Sequence, residues 1–287
     1  MADHSHDHGH SHSHDHASHG HSHDHGHSHD HGHSHGHNHG GNGLPDMPQQ
    51  LPGESLHDFN VRFFNAKAAV YDSLNGVQDV AQQTLNVFRE ILPLSKDETV
   101  ALDFACGTGI LSVLLSPHVK SILGIDVTQG MVDIYNHKST TALPTPPNIS
   151  ARVLNILVPS DLSHLQSLSP KPNLIFTQLA LHHIPESPKI VSTLSTLLAP
   201  GGKLVIVDFE NTKDGEGFHE THGHVAHQHG FAREDVEGWF TGAGLKVEEF
   251  KSRAVTLTKE DLKEGAEKLG GNHGRKSFPI FVAVGSN

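Results

Sequence analysis

The chain has 287 residues, a formal charge of −12 at pH 7 and one cysteine. The acidic balance is the wrong sign for a general nucleic-acid binder, which presents a basic face. Cys106 alone rules out an intramolecular disulfide and fits a reducing compartment, and with no apolar run of membrane-spanning length and no basic–apolar signal pattern the chain is expected to be soluble and cytoplasmic, or nuclear.

Residues 1–40 hold 18 of the 30 histidines, nearly all spaced by one residue, and the hexad DHGHSH recurs at Asp7, Asp24 and Asp30. Up to residue 43 there is no aliphatic side chain larger than Ala, so this tail is expected not to order. A Gly/Pro-rich linker, residues 44–55, leads to a domain over residues 56–287, large enough for one α/β core. Without the tail's five Asp, 27 acidic residues still face 20 basic ones.

DFNVRFFNAKAAVYDSL and VQDVAQQTLNVFREIL carry apolar residues at helical spacing, the second closed by Pro93. Short apolar runs then alternate with helical stretches. The strands expected are TVALDFA, SILGID, ISARVLNIL, NLIFTQ and KLVIVDFE, with helices in GILSVLLS, TQGMVDIYNHK, SPKIVSTLSTLLA and AREDVEGWFTGAG. This alternation predicts a mostly parallel sheet with helices on both faces. LKVEEFKS and FPIFVAVG close the chain around a polar, Gly-rich stretch, which suits an antiparallel last strand at or near the sheet edge.

The informative stretch is VALDFACGTGILSVLL, in which a strand ends at Asp103, a small-residue turn follows, and a helix starts after Gly109. Such a turn lies at the carboxyl end of the first strand of a Rossmann-like sheet, where ligands bind. Gly107 and Gly109 let backbone approach a ligand closely. Asp126 ends the next strand, 23 residues after Asp103, and a carboxylate there can accept hydrogen bonds from both ribose hydroxyls. The pattern D-x-A-C-G-T-G is not the G-x-G-x-x-G of dinucleotide sites, and Asp103 would repel a diphosphate while suiting a cationic amino group or an ordered water.

Four segments in order, LDFACGTG, ILGIDVTQGMVD, FTQLALHHIPE and LLAPGGKLVIVDF, resemble the class I S-adenosylmethionine-dependent methyltransferases. The similarity is greatest to the small-molecule enzymes of the ubiquinone and menaquinone biosynthesis C-methyltransferase type. It covers the chain from about Phe59 onward and implies a Rossmann-like, seven-stranded, mostly parallel sheet binding S-adenosyl-L-methionine. Residue by residue, it implies that Asp103, Ala105 (for the usual first Gly), Gly107 and Gly109 form the cofactor loop. Asp126 falls on the ribose-binding acid, Met131 on the adenine-packing position, and Tyr71 on the N-terminal helix that closes over the cofactor. Asn155 stands where an acid often meets the adenine amine, and its carbonyl can still accept one hydrogen bond. Asn173 stands where an Asp often begins the fourth strand. Cys106 is read as a small packing residue.

His182 and His183 follow the fourth strand, on the cofactor side in the resembled family, and are candidate general bases for the methyl acceptor. The N-P-P-[FY] signature of exocyclic-amine methyltransferases is replaced by FTQLA, which argues against nucleic-acid bases. A second cluster, His219, His222, His224, His227 and His229, follows the fifth strand. It reads as an acceptor pocket with His229 as a base, as a metal site built from i,i+3 pairs, or as a solvated polar lid. The leading reading is an enzyme acting on a small-molecule oxygen, nitrogen or carbon. The rivals are a metal-binding or metal-responsive protein on the same fold and a protein methyltransferase. In the tail, neighbours such as His21, His23, His25 and His27 define no single metal site. At that density they suit exchangeable Zn²⁺, Ni²⁺ or Cu²⁺, or simply form a solubilising tail. Nothing in the sequence sets an oligomeric state.

Overall fold

Ser55 starts the first helix: its hydroxyl accepts the Asp58 N–H at 3.1 Å and caps α1 (Leu56–Tyr71). The computed structural model describes residues 48–145, 147–211, 225–260 and 275–287. The His-rich tail with its metal reading, and His219, His222 and His224 of the second cluster, lie outside the described residues. The helix α2 (Val77–Ile91) stops where Leu92 turns extended ahead of Pro93, as the residue before a proline prefers. Its apolar face buries Val80, Ala81, Leu85 and Phe88, and the Phe88 ring meets Phe176 edge-on at 5.8 Å.

Strands and helices then alternate as expected: β1 (Val100–Phe104), α3 (Ile110–Leu115), β2 (Ser121–Asp126), α4 (Gln129–Thr141), β3 (Ile149–Val153), α5 (Pro159–Gln166), β4 (Leu174–Gln178), α6 (Ser187–Ser195), β5 (Lys203–Phe209), α7 (Arg233–Gly242), β6 (Lys246–Glu260) and β7 (Arg275–Ser286). Among the described residues seven strands pair in the order β3-β2-β1-β4-β5-β7-β6. The pairs among β1 to β5 are parallel, and β7 is antiparallel to both β5 and β6. This is the Rossmann-like, mostly parallel sheet with helices that the sequence implies.

One detail differs from the sequence reading. The strand expected over ISARVLNIL ends at Val153, because Leu154 N–H bonds Asp126 O and the Asn155 side chain then turns the chain by accepting Leu157 N–H. The last strand is antiparallel and near the edge, as expected, one place inside it. Residues Ile280 to Val284 are all 2% exposed or less, a continuous apolar run that needs cover on both faces, whereas the charged KVEEFK segment of β6 tolerates the edge.

Alternate strand residues feed two apolar layers. Ala101, Leu174, Phe176, Val205 and Val207 face the layer that includes α2 and α3 residues, and Leu102, Ile175, Leu204 and Ile206 face the layer of α6 and α7. The order reverses between β1 and β4, so the crevice at the carboxyl ends of these strands is the ligand position that the fold itself creates. Among the described residues no helix is long and apolar enough to cross a membrane.

The turn that enters α3 is held by the buried Tyr135 ring of α4. A Cβ on Gly109 (φ 76°) would lie 2.3 Å from that ring, and one on Gly124 would lie 2.9 Å from it and 2.8 Å from Cys106 Sγ. Gly109→Ala combines left-handed backbone with overpacking, at about 1–2 and 1–3 kcal/mol respectively. It should therefore lower the urea midpoint by several times more than Gly238→Ala, where an added methyl meets nothing within 4 Å.

Candidate active site

The loop after β1 runs through left-handed backbone at Ala105 (φ 54°), Gly107 (φ 51°) and Gly109 (φ 76°). Ala105, where the resembled family has Gly, accepts a conformation that L-residues adopt at a cost of about 1 kcal/mol. The Gly107 N–H donates to Asp126 Oδ2 at 3.0 Å and the Thr128 N–H to Asp126 Oδ1 at 2.8 Å, while Cys106 N–H bonds Ile125 O. The end of β2 thereby holds the loop in place. A Cβ at Gly107 would meet nothing within 4 Å. The opening beside Gly107 and the half-buried Asp126 carboxylate fit a ribose diol approaching the loop.

Asp103 lies beneath the loop, 4% exposed, with Oδ2 accepting the Ser112 hydroxyl at 2.7 Å. Burial, opposed by Ser112 and assisted by the charge of Asp126, pushes its carboxyl up to about 8. Burial likewise raises Asp126, against the Gly107 and Thr128 donors. A cation entering beside the loop would favour the ionised form of both acids, which burial disfavours. Burial raises the Cys106 thiol too, and its side chain packs over Gly124, a structural role.

Helix α1 covers this end of the sheet. Burial and the Asp126 and Asp72 carboxylates push the Tyr71 phenol up to about 12, so Tyr71 lies within electrostatic reach of Asp126. Asp72, the residue after it, accepts the Thr108 hydroxyl and pairs with Lys138 Nζ at 2.7 Å, joining α1 to both the loop and α4. The sequence reading passed over Asp72, Thr108 and Lys138, because the contacts join positions 36 and 66 residues apart. Met131, in the first turn of α4, is 2% exposed and enclosed by protein. Asn155 uses its carbonyl oxygen for Leu157 N–H at 2.9 Å, leaving one lone pair, and its N–H donates to Asp161. Asn173 lies at the opposite end of the sheet, where it accepts Val100 N–H and donates to Glu98 O. A carboxylate could not make the second bond.

The second half of the site follows β4. His182 is 2% exposed and its Nδ1 lies 2.7 Å from Oδ1 of the fully buried Asp208 of β5. The His182 N–H donates to Asp208 Oδ2 at 3.2 Å, and the Phe209 N–H to Oδ1 at 2.7 Å. A carboxylate only accepts, so Nδ1 carries the proton and Nε2 the lone pair, the tautomer a general base needs. The His183 ring lies tilted by 41° against His182 with centroids 4.1 Å apart and meets Phe64 of α1 edge-on at 5.1 Å, and Asn60 Nδ2 donates to His183 O. Asn60 Oδ1 and Gln178 Oε1, at the end of β4, are buried acceptors with no partner among the described residues, which a ligand donor would satisfy.

Of the second histidine cluster, His227 and His229 are described. The Ala226 and His227 N–H groups both donate to His182 O, and His227 Nε2–H donates to Ile184 O at 3.2 Å, so this segment seals the flank of His182. His229 is exposed on the turn that follows. The constrained residue of the HGF segment is Gly230, whose Cβ would lie 2.2 Å from Phe209 O. Among the described residues no three His, Cys, Asp or Glu side chains converge as a metal site.

The raised Asp103 carboxyl has a signed consequence. The folded state holds its proton from the ordinary carboxylate range up to about 8, while the unfolded chain loses it near 3.8, so this group's stabilisation fades as pH rises across that interval. Asp103→Asn should flatten the fall in urea midpoint between pH 5 and pH 8, leaving the contribution of Asp126. A variant with the wild-type slope would show that Asp103 ionises normally.

The comparisons agree with this geometry. A family model described as a methyltransferase domain matches residues 78–249. An uncharacterised methyltransferase of Schizosaccharomyces pombe is 36% identical over 160 residues, 53% of this chain and 55% of that protein. A 2-phytyl-1,4-naphthoquinone methyltransferase of Nostoc punctiforme is 27% identical over 154 residues, 51% of this chain and 62% of its own length. These matches thus span less than two thirds of either curated relative. A SAM-dependent methyltransferase structure from Anabaena variabilis aligns with a TM-score of 0.58 at 18% identity, over 85% of this chain and 98% of that one, and shows the shared fold. On the match over residues 78–249, which spans β1 to β5 and the loop that Asp126 holds, the chain belongs to the methyltransferase-domain family.

Proposed function

We propose that the protein transfers the methyl group of S-adenosylmethionine to a small-molecule acceptor whose proton is taken up by His182. The observation that carries this reading is the shared position of two arrangements at the carboxyl edge of the sheet. One is the Gly107–Asp126 loop clamp and the other is the buried His182–Asp208 pair, and α1 reaches both. When bound, S-adenosylmethionine supplies a carbon already activated as a sulfonium for in-line displacement. The protein's part is orientation and proton removal. Asp126 orients the ribose, the loop at Gly107 admits it, and Tyr71 covers it. Asp208 fixes the His182 ring and stabilises the imidazolium formed when Nε2 takes the acceptor's proton.

The small-molecule class is supported by the naphthoquinone named for a relative and by the enclosure of His182 under α1 and residues 225–227. A protein acceptor would have to bring a side chain into that enclosed position. His183, tilted against His182, is the neighbour that shapes the acceptor's approach. His229 keeps a role only if an acceptor reaches out to the exposed turn.

Calorimetry on the full chain should detect S-adenosylhomocysteine binding that Asp126→Ala abolishes; equal affinity in the variant would misplace the site. With methyl-labelled S-adenosylmethionine and a cell extract, label should enter the small-molecule fraction. Asp208→Asn should slow that transfer by 10²-fold or more without weakening S-adenosylhomocysteine, since general-base catalysis contributes about 10²–10⁴-fold. Label confined to protein would overturn the acceptor class.

The 18 histidines of residues 1–40 support a second, separable property: exchangeable Zn²⁺, Ni²⁺ or Cu²⁺ binding. Removing residues 1–43 should eliminate most Zn²⁺ uptake in equilibrium dialysis and leave S-adenosylhomocysteine affinity unchanged.

A further inference from the structure

Asn60, Phe64, Lys67 and Tyr71 succeed one another on α1 at spacings of four, three and four residues. At 3.6 residues per turn they fall within about 60° of arc, so they form one stripe along the helix. Three of the four are anchored on the site. Asn60 donates to His183 O, the Phe64 ring meets His183, and Tyr71 feels the Asp126 carboxylate. Lys67 therefore faces the same crevice, one helical turn from Tyr71 on one side and just under a turn from Phe64 on the other.

Lys67 is half-buried, its ammonium lies 5.2 Å from the Phe63 ring centroid, and burial lowers its affinity for a proton. No carboxylate pairs with it among the described residues. Asp72, the acid at the end of the same helix, is engaged by Lys138 and Thr108. A surface lysine is ordinarily solvated, whereas this ammonium is partly desolvated and rests on the Phe63 ring face, a weaker partner for a cation than a carboxylate. That desolvation is offset when an anion enters beside it, and a carboxylate brings a charge-assisted hydrogen bond.

We propose that Lys67 is the docking point for a carboxylate carried by a ligand of this site. The inference rests on the methyl-transfer reading and adds a recognition element to it. The carboxylate has two possible sources, the amino-acid end of the cofactor or an acidic acceptor, and both lie within the crevice that the stripe overlooks.

The test uses the full chain and calorimetry with Lys67→Met, which keeps the apolar stem, and Lys67→Arg, which keeps the charge. In the first arm, S-adenosylhomocysteine is compared with 5′-methylthioadenosine, which lacks the amino-acid end. A tenfold or greater loss for S-adenosylhomocysteine alone in Lys67→Met, restored in Lys67→Arg, assigns Lys67 to the cofactor's carboxylate. In the second arm, protein saturated with S-adenosylhomocysteine is titrated with benzoate and with benzamide. A preference for benzoate that disappears in Lys67→Met and returns in Lys67→Arg assigns it to the acceptor. Wild-type protein that binds S-adenosylhomocysteine, with neither arm sensitive to Lys67, overturns the proposal and leaves methyl transfer standing. Wild-type protein that binds no S-adenosylhomocysteine overturns both.

Discussion

The site depends on one carboxylate accepting two backbone amides. Asp126 takes the Gly107 and Thr128 N–H groups on separate oxygens, so the loop after β1 and the turn after β2 share one anchor. To reach it, the loop passes three times through left-handed backbone, at Ala105, Gly107 and Gly109. Two of these positions use Gly, where the conformation is inexpensive. The third uses Ala and stores a small strain that the anchoring offsets. The same anchor keeps a carboxylate half-buried near a second one, Asp103, and burial raises the proton affinity of both.

The parts of this arrangement that are local in sequence are legible there. LDFACGTG places strand, turn and helix within a few residues of one another, and Asp126 closes the next strand, so spacing alone locates the loop and its carboxylate. Short apolar runs found the strands, yet they do not say which strands are neighbours. The interior place of β7 follows from burial on both faces of Ile280 to Val284, a property of packing rather than of spacing. Polar partners far apart in the chain are the least legible. Asp208 ends KLVIVDF like any strand-boundary acid, and only the pairing of β4 with β5 brings it to His182, 26 residues away. In the HGF segment the histidine draws attention chemically, while the geometry constrains the glycine beside it.

The departures from the resembled family sort by position. Asn173, at the far end of the sheet, exchanges two backbone bonds that need a donor and an acceptor on one side chain, which is reason enough for an amide. Asn155, at the ligand end, already turns the chain through Leu157, so its remaining capacity for a ligand is a single lone pair.

Helix α1 gives the site its unity. Its C-terminal end is fastened to the cofactor loop and to α4 through Asp72, and its N-terminal half is fastened to the histidine loop through Asn60 and Phe64. On the proposed reading, the one helix therefore borders both ligand positions, the Asp126 loop at its C-terminal end and the His182–His183 loop at its N-terminal half. Any coupling between two ligands bound there is reciprocal in free energy, so a change in α1 that alters the affinity for one through the other must act equally in both directions.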